Sequence, residues 1–161
     1  MNPVDFLELI IRPTLNYLGH WSRDAERLLL ETAIQETGLH FLRQRTNSKG
    51  LYGPGLGIYS MEPGTHTDIW LNYLKYRRGL KEKVEKLLVP EIPRLDQLVF
   101  NLRYATAMTR IHYLRFPEKI PSTLEERALL WKKRYNTLLG KGTPEEYIAN
   151  YKRIVRHALP V

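Results

Sequence analysis

Ile34-Gln35-Glu36-Thr37-Gly38, followed after a short basic and glycine-rich connection by Gly55-Leu56-Gly57-Ile58-Tyr59-Ser60-Met61-Glu62-Pro63-Gly64-Thr65, is the stretch on which the reading of this chain turns. It reads as a carboxylate at a helix end facing a glycine-rich turn. Upstream, Ala25, Leu29, Thr32 with Ala33, and Glu36 recur at helical spacing, so Glu36 falls on the stripe that the leucines bury. An acid stands where a leucine is expected. Gly38 places Glu36 in the last helical turn, where the partial negative charge of the helix end opposes ionisation, as does desolvation by a core. Both effects favour an acid that holds its proton near neutral pH, above the ~4.3 of a free glutamate.

Working outward, Ser22 is an N-cap for the helix that ends at Glu36, with Asp24 and Glu26 complementing its dipole. Before it, Pro3 to Leu18 carries Val4, Leu7, Ile10, Ile11, Leu15 and Leu18 at helical intervals, and Pro13 should kink or end the first part. From His40 to Gly57 the residues Asn47, Ser48, Gly50, Gly53, Pro54, Gly55 and Gly57 are too dense in punctuation for helix, and predict a structured loop or short β-hairpin. Pro63 and Thr65 lead into a helix from Asp68, with Trp70 and Leu74 paired, that Gly79 should break. Leu80, Val84, Leu87 and Leu88 among alternating Lys and Glu predict an amphipathic surface helix with i, i+4 charge pairs. Leu95 to Arg115 is the longest uninterrupted helical candidate, and its small-chained centre would let another element approach closely. Ser122 or Thr123 caps a helix through Leu129, Leu130 and Tyr135. Thr143-Pro144-Glu145-Glu146 starts the last helix, through Tyr147, Tyr151 and Val155.

The pattern predicts a mainly α fold of about six to eight helices in one domain spanning 1–161. A chain of 161 residues suits one real core, since ~150 residues bury roughly 70% of their unfolded surface. Hydrophobic residues at 43%, charged ones at 26% and ten tyrosines argue against disorder. The absence of cysteine excludes disulfides, thiolate metal sites and a cysteine nucleophile. No stretch has the ~18 apolar residues of a membrane span, and the N-terminus lacks a signal-peptide pattern. The net charge of +8 points to an anionic partner, either nucleic acid or an acidic cell envelope, or to nothing beyond solubility.

The order of motifs resembles the lysozyme-like lytic transglycosylases. That family carries Glu-Ser at a helix end, then Gly-Leu-Met-Gln-x-x-Pro-x-Thr, then a helix ending Tyr-Leu, then Ala-Tyr-Asn with a nearby glycine and a final Tyr. Here the matching positions are Glu36-Thr37, Gly57 through Thr65, Tyr113-Leu114, Tyr135-Asn136, Gly140 or Gly142, and Tyr151. The chain departs from the pattern where Ser60 replaces glutamine, Thr37 replaces serine, and Arg134 replaces the alanine before Tyr135. The small, basic style without a signal peptide is similar to bacteriophage versions of the fold. That similarity implies a virion or lysis role, located in the virion or the host cytoplasm before delivery to the periplasm.

The resemblance implies cleavage of the β-1,4 bond after N-acetylmuramic acid in peptidoglycan glycan strands, without cofactor or metal, leaving 1,6-anhydro ends. Other phage virion proteins are further partners on this reading. Glu36 is the implied acid, and Tyr135 matches the tyrosine that hydrogen-bonds and orients it. Thr37, Gly55, Gly57, Tyr59, Ser60, Glu62, Thr65, Tyr113 and Asn136 are the implied substrate-binding set, with Gly55 and Gly57 letting backbone pass close to the sugars. A blander reading stands beside each. Glu36 can be a solvated helix-end acid, Ser60 a turn cap, Glu62 an exposed turn residue, and Tyr113 and Tyr135 core packing. His40, His66 and His112 with Asp68 fit no metal-ligand spacing. Two rival functions remain open: a weak or inactive lysozyme-like structural or peptidoglycan-binding protein, and, ranked third, a nucleic-acid-binding helical domain built on Lys75-Tyr76-Arg77-Arg78, Lys81 to Lys86, Lys152-Arg153 and Arg156-His157.

Overall fold

Ser22 begins the helix around which the rest is assembled. Its extended backbone and its Oγ, which accepts from the Ala25 amide at 3.0 Å, start α3 (Arg23–Thr37), and Gly38 at φ +61° ends it in the left-handed conformation. Leu28 to Ile34 are buried without interruption, so α3 is covered on all sides instead of along one stripe. The computed structural model describes residues 1–46, 50–136 and 140–156, and the expected turn residues Asn47 and Ser48, with His157 of the basic set, lie outside these.

The fold is mainly helical, as expected. In the first helical stretch α1 (Pro3–Asp5) passes through a π-helical segment, Phe6–Ile11, into α2 (Arg12–Leu18). Pro13 therefore neither ends nor interrupts the run. Proline lacks an amide proton and its ring crowds the carbonyl four residues back; the widened π turn just before it, in which the Arg12 amide bonds the Leu7 carbonyl, absorbs both problems. After α3 an antiparallel hairpin, β1 (Arg43–Arg45) with β2 (Tyr52–Leu56), occupies the expected loop; Arg45 pairs with Tyr52 and Arg43 with Leu56 across an irregular register. The chain then reverses tightly, with Leu56 and Met61 exchanging both backbone bonds around Gly57–Ser60.

Helix α4 (Pro63–Asn72) starts earlier than expected, at Pro63, and stops well before Gly79, which lies inside the first turn of α5 (Arg78–Glu85). The break falls at Arg77, whose guanidinium turns back to the Tyr73 carbonyl at 3.2 Å and covers the Tyr73 ring at 3.6 Å. The expected charge pairs on α5 form, Arg78 with Glu82 and Lys81 with Glu85. The long candidate Leu95–Arg115 is two helices, α6 (Gln97–Phe100) and α7 (Leu102–Leu114). Asn101 separates them because its side chain is committed on both sides. Its Oδ1 caps the Tyr104 amide at 3.0 Å while its Nδ2 donates to the Leu87 carbonyl at 2.8 Å and also reaches Gln97 Oε1 at 3.2 Å. Thr123 caps α8 (Leu124–Trp131), which widens into a π-helical segment Lys132–Asn136, and Thr143 with Glu146 forms the capping box of α9 (Pro144–Val155).

One hydrophobic cluster runs through the molecule from Phe6 to Val155 and includes α3, the turn residues Ile58 and Tyr59, and α7. The small centre of α7 receives the element expected there. Tyr59 is 1% exposed, and its hydroxyl meets that of Thr106 at 3.0 Å. Gly57, at φ +72°, lies so close to the Leu98 carbonyl that any β-carbon would overlap it. The turn after β2 is thereby seated against α6 and α7, facing the end of α3.

Candidate active site

Three elements converge on the C-terminal end of α3: the tight turn after β2, the end of α8, and the segment entering α9. Between them lies an open cavity of about 450 Å³, bordered by Glu36, Ser60, Glu62, Thr65, Trp131 and Asn136 among others. Its size suits a small-molecule or sugar-unit ligand.

Glu36 is half-buried on the wall of this cavity. Its one hydrogen-bond partner among the described residues is the Trp131 indole, whose Nε1–H donates to Oε1 at 3.0 Å. Desolvation by the surrounding protein pushes its carboxyl up to about 7, against the opposing pull of the indole N–H. A carboxyl that is about half protonated at neutral pH can both give and receive a proton there. Trp131 is held in turn. Its ring lies against Tyr147 with centroids 5.2 Å apart, and Gly142 approaches it so closely that a β-carbon would sit 2.6 Å from the ring edge.

A second rung joins the same two helices below the site. Arg127, 3% exposed, makes a bidentate pair with Glu31 at 2.7 and 2.8 Å, and the Tyr147 hydroxyl donates to the same carboxylate at 3.0 Å. Glu31 precedes Glu36 by five residues on α3 and Arg127 precedes Trp131 by four on α8. The buried ion pair thus fixes the helices whose next turns carry the acid and the indole.

The expected roles redistribute over this geometry. Tyr135 does not hydrogen-bond Glu36. Its hydroxyl donates to the Tyr59 carbonyl at 2.7 Å, so it clamps the glycine turn, while its ring stacks on Tyr113 and meets His112 edge-on at the cavity wall. Thr37 works from the other side: its hydroxyl lies 2.8 Å from the Ile58 carbonyl and 3.1 Å from that of Ala33. Tyr113 is buried with its hydroxyl on Thr32, and Tyr59 is buried against Thr106, so neither reaches the cavity. Gly55 and Gly57 do not border it either. Their missing side chains make room for Ser60 and for the Leu98 carbonyl, which is internal packing and not sugar access.

Ser60, Glu62, Thr65 and Asn136 do border the cavity. Ser60 sits at φ +48°, and its Oγ is buried with no hydrogen-bond partner among the described residues. Glu62 is exposed. Asn136 accepts from Lys132 Nζ at 2.7 Å, and the same ammonium reaches the Gly140 carbonyl at 2.7 Å. Gly140 and Gly142 both edge the opening.

His66 and His112 are engaged separately. The Trp70 indole donates to Tyr104, whose hydroxyl lies 2.7 Å from His66 Nε2. His112 Nε2 donates to the Arg134 carbonyl at 2.7 Å, which leaves Nδ1 to accept from Arg115 at 2.8 Å, and Arg115 in turn pairs with Asp68. Burial lowers both imidazoles to about 4. Among the described residues no three of His, Asp and Glu converge on a point that could hold a metal ion.

Trp131 is the site residue that sequence reasoning misses, because a helix traced through Leu129, Leu130 and Tyr135 passes over it. Leu129 is in fact 60% exposed, whereas Leu130 is buried as expected, and the inner side of α8 is formed by Arg127, Ala128, Leu130 and Trp131. The available signal was the spacing of Trp131 four residues before Tyr135. Compared with known proteins, the chain matches no family model, no curated protein and no solved structure.

Proposed function

We propose that this chain cleaves the glycan backbone of peptidoglycan at the cavity beside Glu36, as a lytic transglycosylase of lysozyme-like type acting through a single carboxyl. The observation that carries the reading is Glu36 itself, a helix-end acid on an open cavity, raised to about 7 by desolvation and aimed by one indole N–H. The order of Glu36-Thr37, the glycine turn and Tyr135-Asn136 along the chain supports the substrate class.

On this reading Glu36 gives its proton to the glycosidic oxygen as the C1–O bond breaks, and the sugar's own acetamide stabilises the cationic C1, as in substrate-assisted glycosidases. Glu36, now a carboxylate, then takes the proton of the 6-hydroxyl as that oxygen bonds C1, which closes the 1,6-anhydro ring and restores the acid. Trp131 keeps the carboxyl oriented through both steps. Tyr135 and Thr37 act one layer out, by holding the turn that carries Ser60.

Mass spectrometry of material released from isolated sacculi tests the proposal. Anhydromuropeptides are the expected product, and reducing ends would mean hydrolysis instead. A second reading, a binding protein with a silent site, draws on Ser60 in place of glutamine and on the commitment of the Tyr135 hydroxyl to a backbone carbonyl. Sacculi retained by the protein with no soluble product would favour it.

A further inference from the structure

The groove does not stop at Glu36. A second cavity of about 420 Å³ shares Gln35, Glu36 and Gln44 with the first and extends from them between β1 and α9. Its wall carries Arg43 and Arg45 from β1 and Arg153 from α9, and among the described residues that line it Glu36 is the one carboxylate. Seven cations on other parts of the chain, Arg12, Arg78, Lys81, Arg115, Arg127, Lys133 and Arg134, have an acid within ion-pair distance. Arg43, Arg45 and Arg153 have none among the described residues. Three uncompensated guanidinium groups around one concavity focus a positive field into it.

These groups are also held in place. Arg45 lies over the Phe41 ring at 4.7 Å and the Tyr52 ring at 5.9 Å, and Arg43 lies over Tyr52 at 5.4 Å. Arg153 donates to Asn150 at 3.1 Å, and Asn150 donates to Gln35, the neighbour of Glu36, at 2.9 Å. Cations already ordered by rings and amides lose less freedom on binding an anion, and the guanidinium fork matches a carboxylate in two-point contact. The cavity is of side-branch size and opens beside the acid, whereas a nucleic-acid backbone would need a longer run of uncompensated charge.

We propose that this second compartment is a carboxylate-reading arm of the same groove, in which Arg43, Arg45 and Arg153 bind the acidic peptide stem attached to the muramic sugar. The inference rests on the proposed function for its substrate, and it makes the protein selective for stem-bearing over bare glycan.

Two measurements separate the arm from the reaction. A soluble disaccharide tetrapeptide and the same disaccharide without peptide are titrated into the Glu36→Gln protein, which cannot turn them over. The stem should tighten binding at least about tenfold, and the advantage should vanish in Arg43→Gln/Arg45→Gln and at about 0.5 M salt. Arg153→Gln, on a different element, should weaken the stem-bearing ligand in the same sense. Equal affinity for the two ligands, or an advantage that survives the arginine substitutions with the fold intact by circular dichroism, would overturn the arm. So would a short oligonucleotide displacing the tetrapeptide ligand at equal or lower concentration, since that would make the site a phosphate reader. In parallel, the unaltered protein is given intact and amidase-stripped sacculi. Release from neither, with the arginine-dependent affinity present, supports the arm and sinks the reaction; release from both at one rate, with equal affinities, sinks the arm and leaves the reaction standing.

Discussion

Glu36 is kept protonated into the neutral range by the protein that crowds its carboxyl, and the same crowding costs stability once the proton leaves. The sign follows from a folded value of about 7 against an unfolded 4.5. The folded state holds the proton more tightly, so its stability falls as pH rises from 4.5 through 7 and the full cost is felt above that. Glu36→Gln should therefore abolish release from sacculi and yet stabilise the protein by about 1–3 kcal/mol at pH 8, with almost no gain at pH 4. Denaturant unfolding at the two pH values measures this. Trp131→Phe probes the opposing influence. It keeps the ring and removes the N–H that favours the carboxylate, so the alkaline limb of the pH–rate profile should move upward while the maximal rate falls by roughly 10–100-fold, in line with ~1.5–3 kcal/mol for a hydrogen bond to a charged group. An unmoved alkaline limb would show that the indole does not tune the acid.

At the scale of elements, the pairing of α3 with α8 depends on an ion pair sealed from water. Removing one partner strands a charge. Arg127→Met should cost about 3–5 kcal/mol, and adding Glu31→Met should recover much of it, because the loss is mainly that of an unpaired buried carboxylate. Chemical denaturation of the single and double variants decides. Gly57→Ala should be the most damaging of the glycine changes, since it combines a left-handed φ with overlap on the Leu98 carbonyl. Elements whose signals are local were legible in the sequence: the caps Ser22, Thr123 and Thr143, the Gly38 stop, the hairpin, and the charge-paired α5. Elements decided by distant partners were not. Asn101 breaks a long periodic run because the Leu87 carbonyl, fourteen residues away, needs its amide. Pro13 is carried by a π turn that no propensity announces. The site divided the same way. Glu36 at the helix end was readable from spacing, but its partner was not. A phenol and an indole, both on the α8 side, compete for the role, and the register of α8 gives Glu36 the indole and the Tyr59 carbonyl the phenol.

The whole molecule responds to pH through groups that oppose one another. His66 and His112 titrate in the folded state at about 4 against an unfolded 6.5, so each contributes stability above pH 6.5 that is lost as pH falls toward 4. Glu36 acts in the reverse direction between 4.5 and 7. Two losses outweigh one gain below pH 6.5, so these three groups should make stability fall toward acid and leave it nearly level above about pH 7, where the alkaline cost of Glu36 and the remaining gain from the histidines cancel; thermal melts across pH 4–9 provide the check. Sequence patterning could not supply this curve, because it depends on which histidines end up sealed against Tyr104 and the Arg134 carbonyl. The indole that steadies the acid is contributed from 95 positions further along the chain. A polypeptide still leaving the ribosome with only its first hundred residues out has the carboxyl but neither the indole nor the helix that carries it. On the proposed function, the acid would be complete only once synthesis has passed α8, and a prematurely terminated product would lack the indole that orients it.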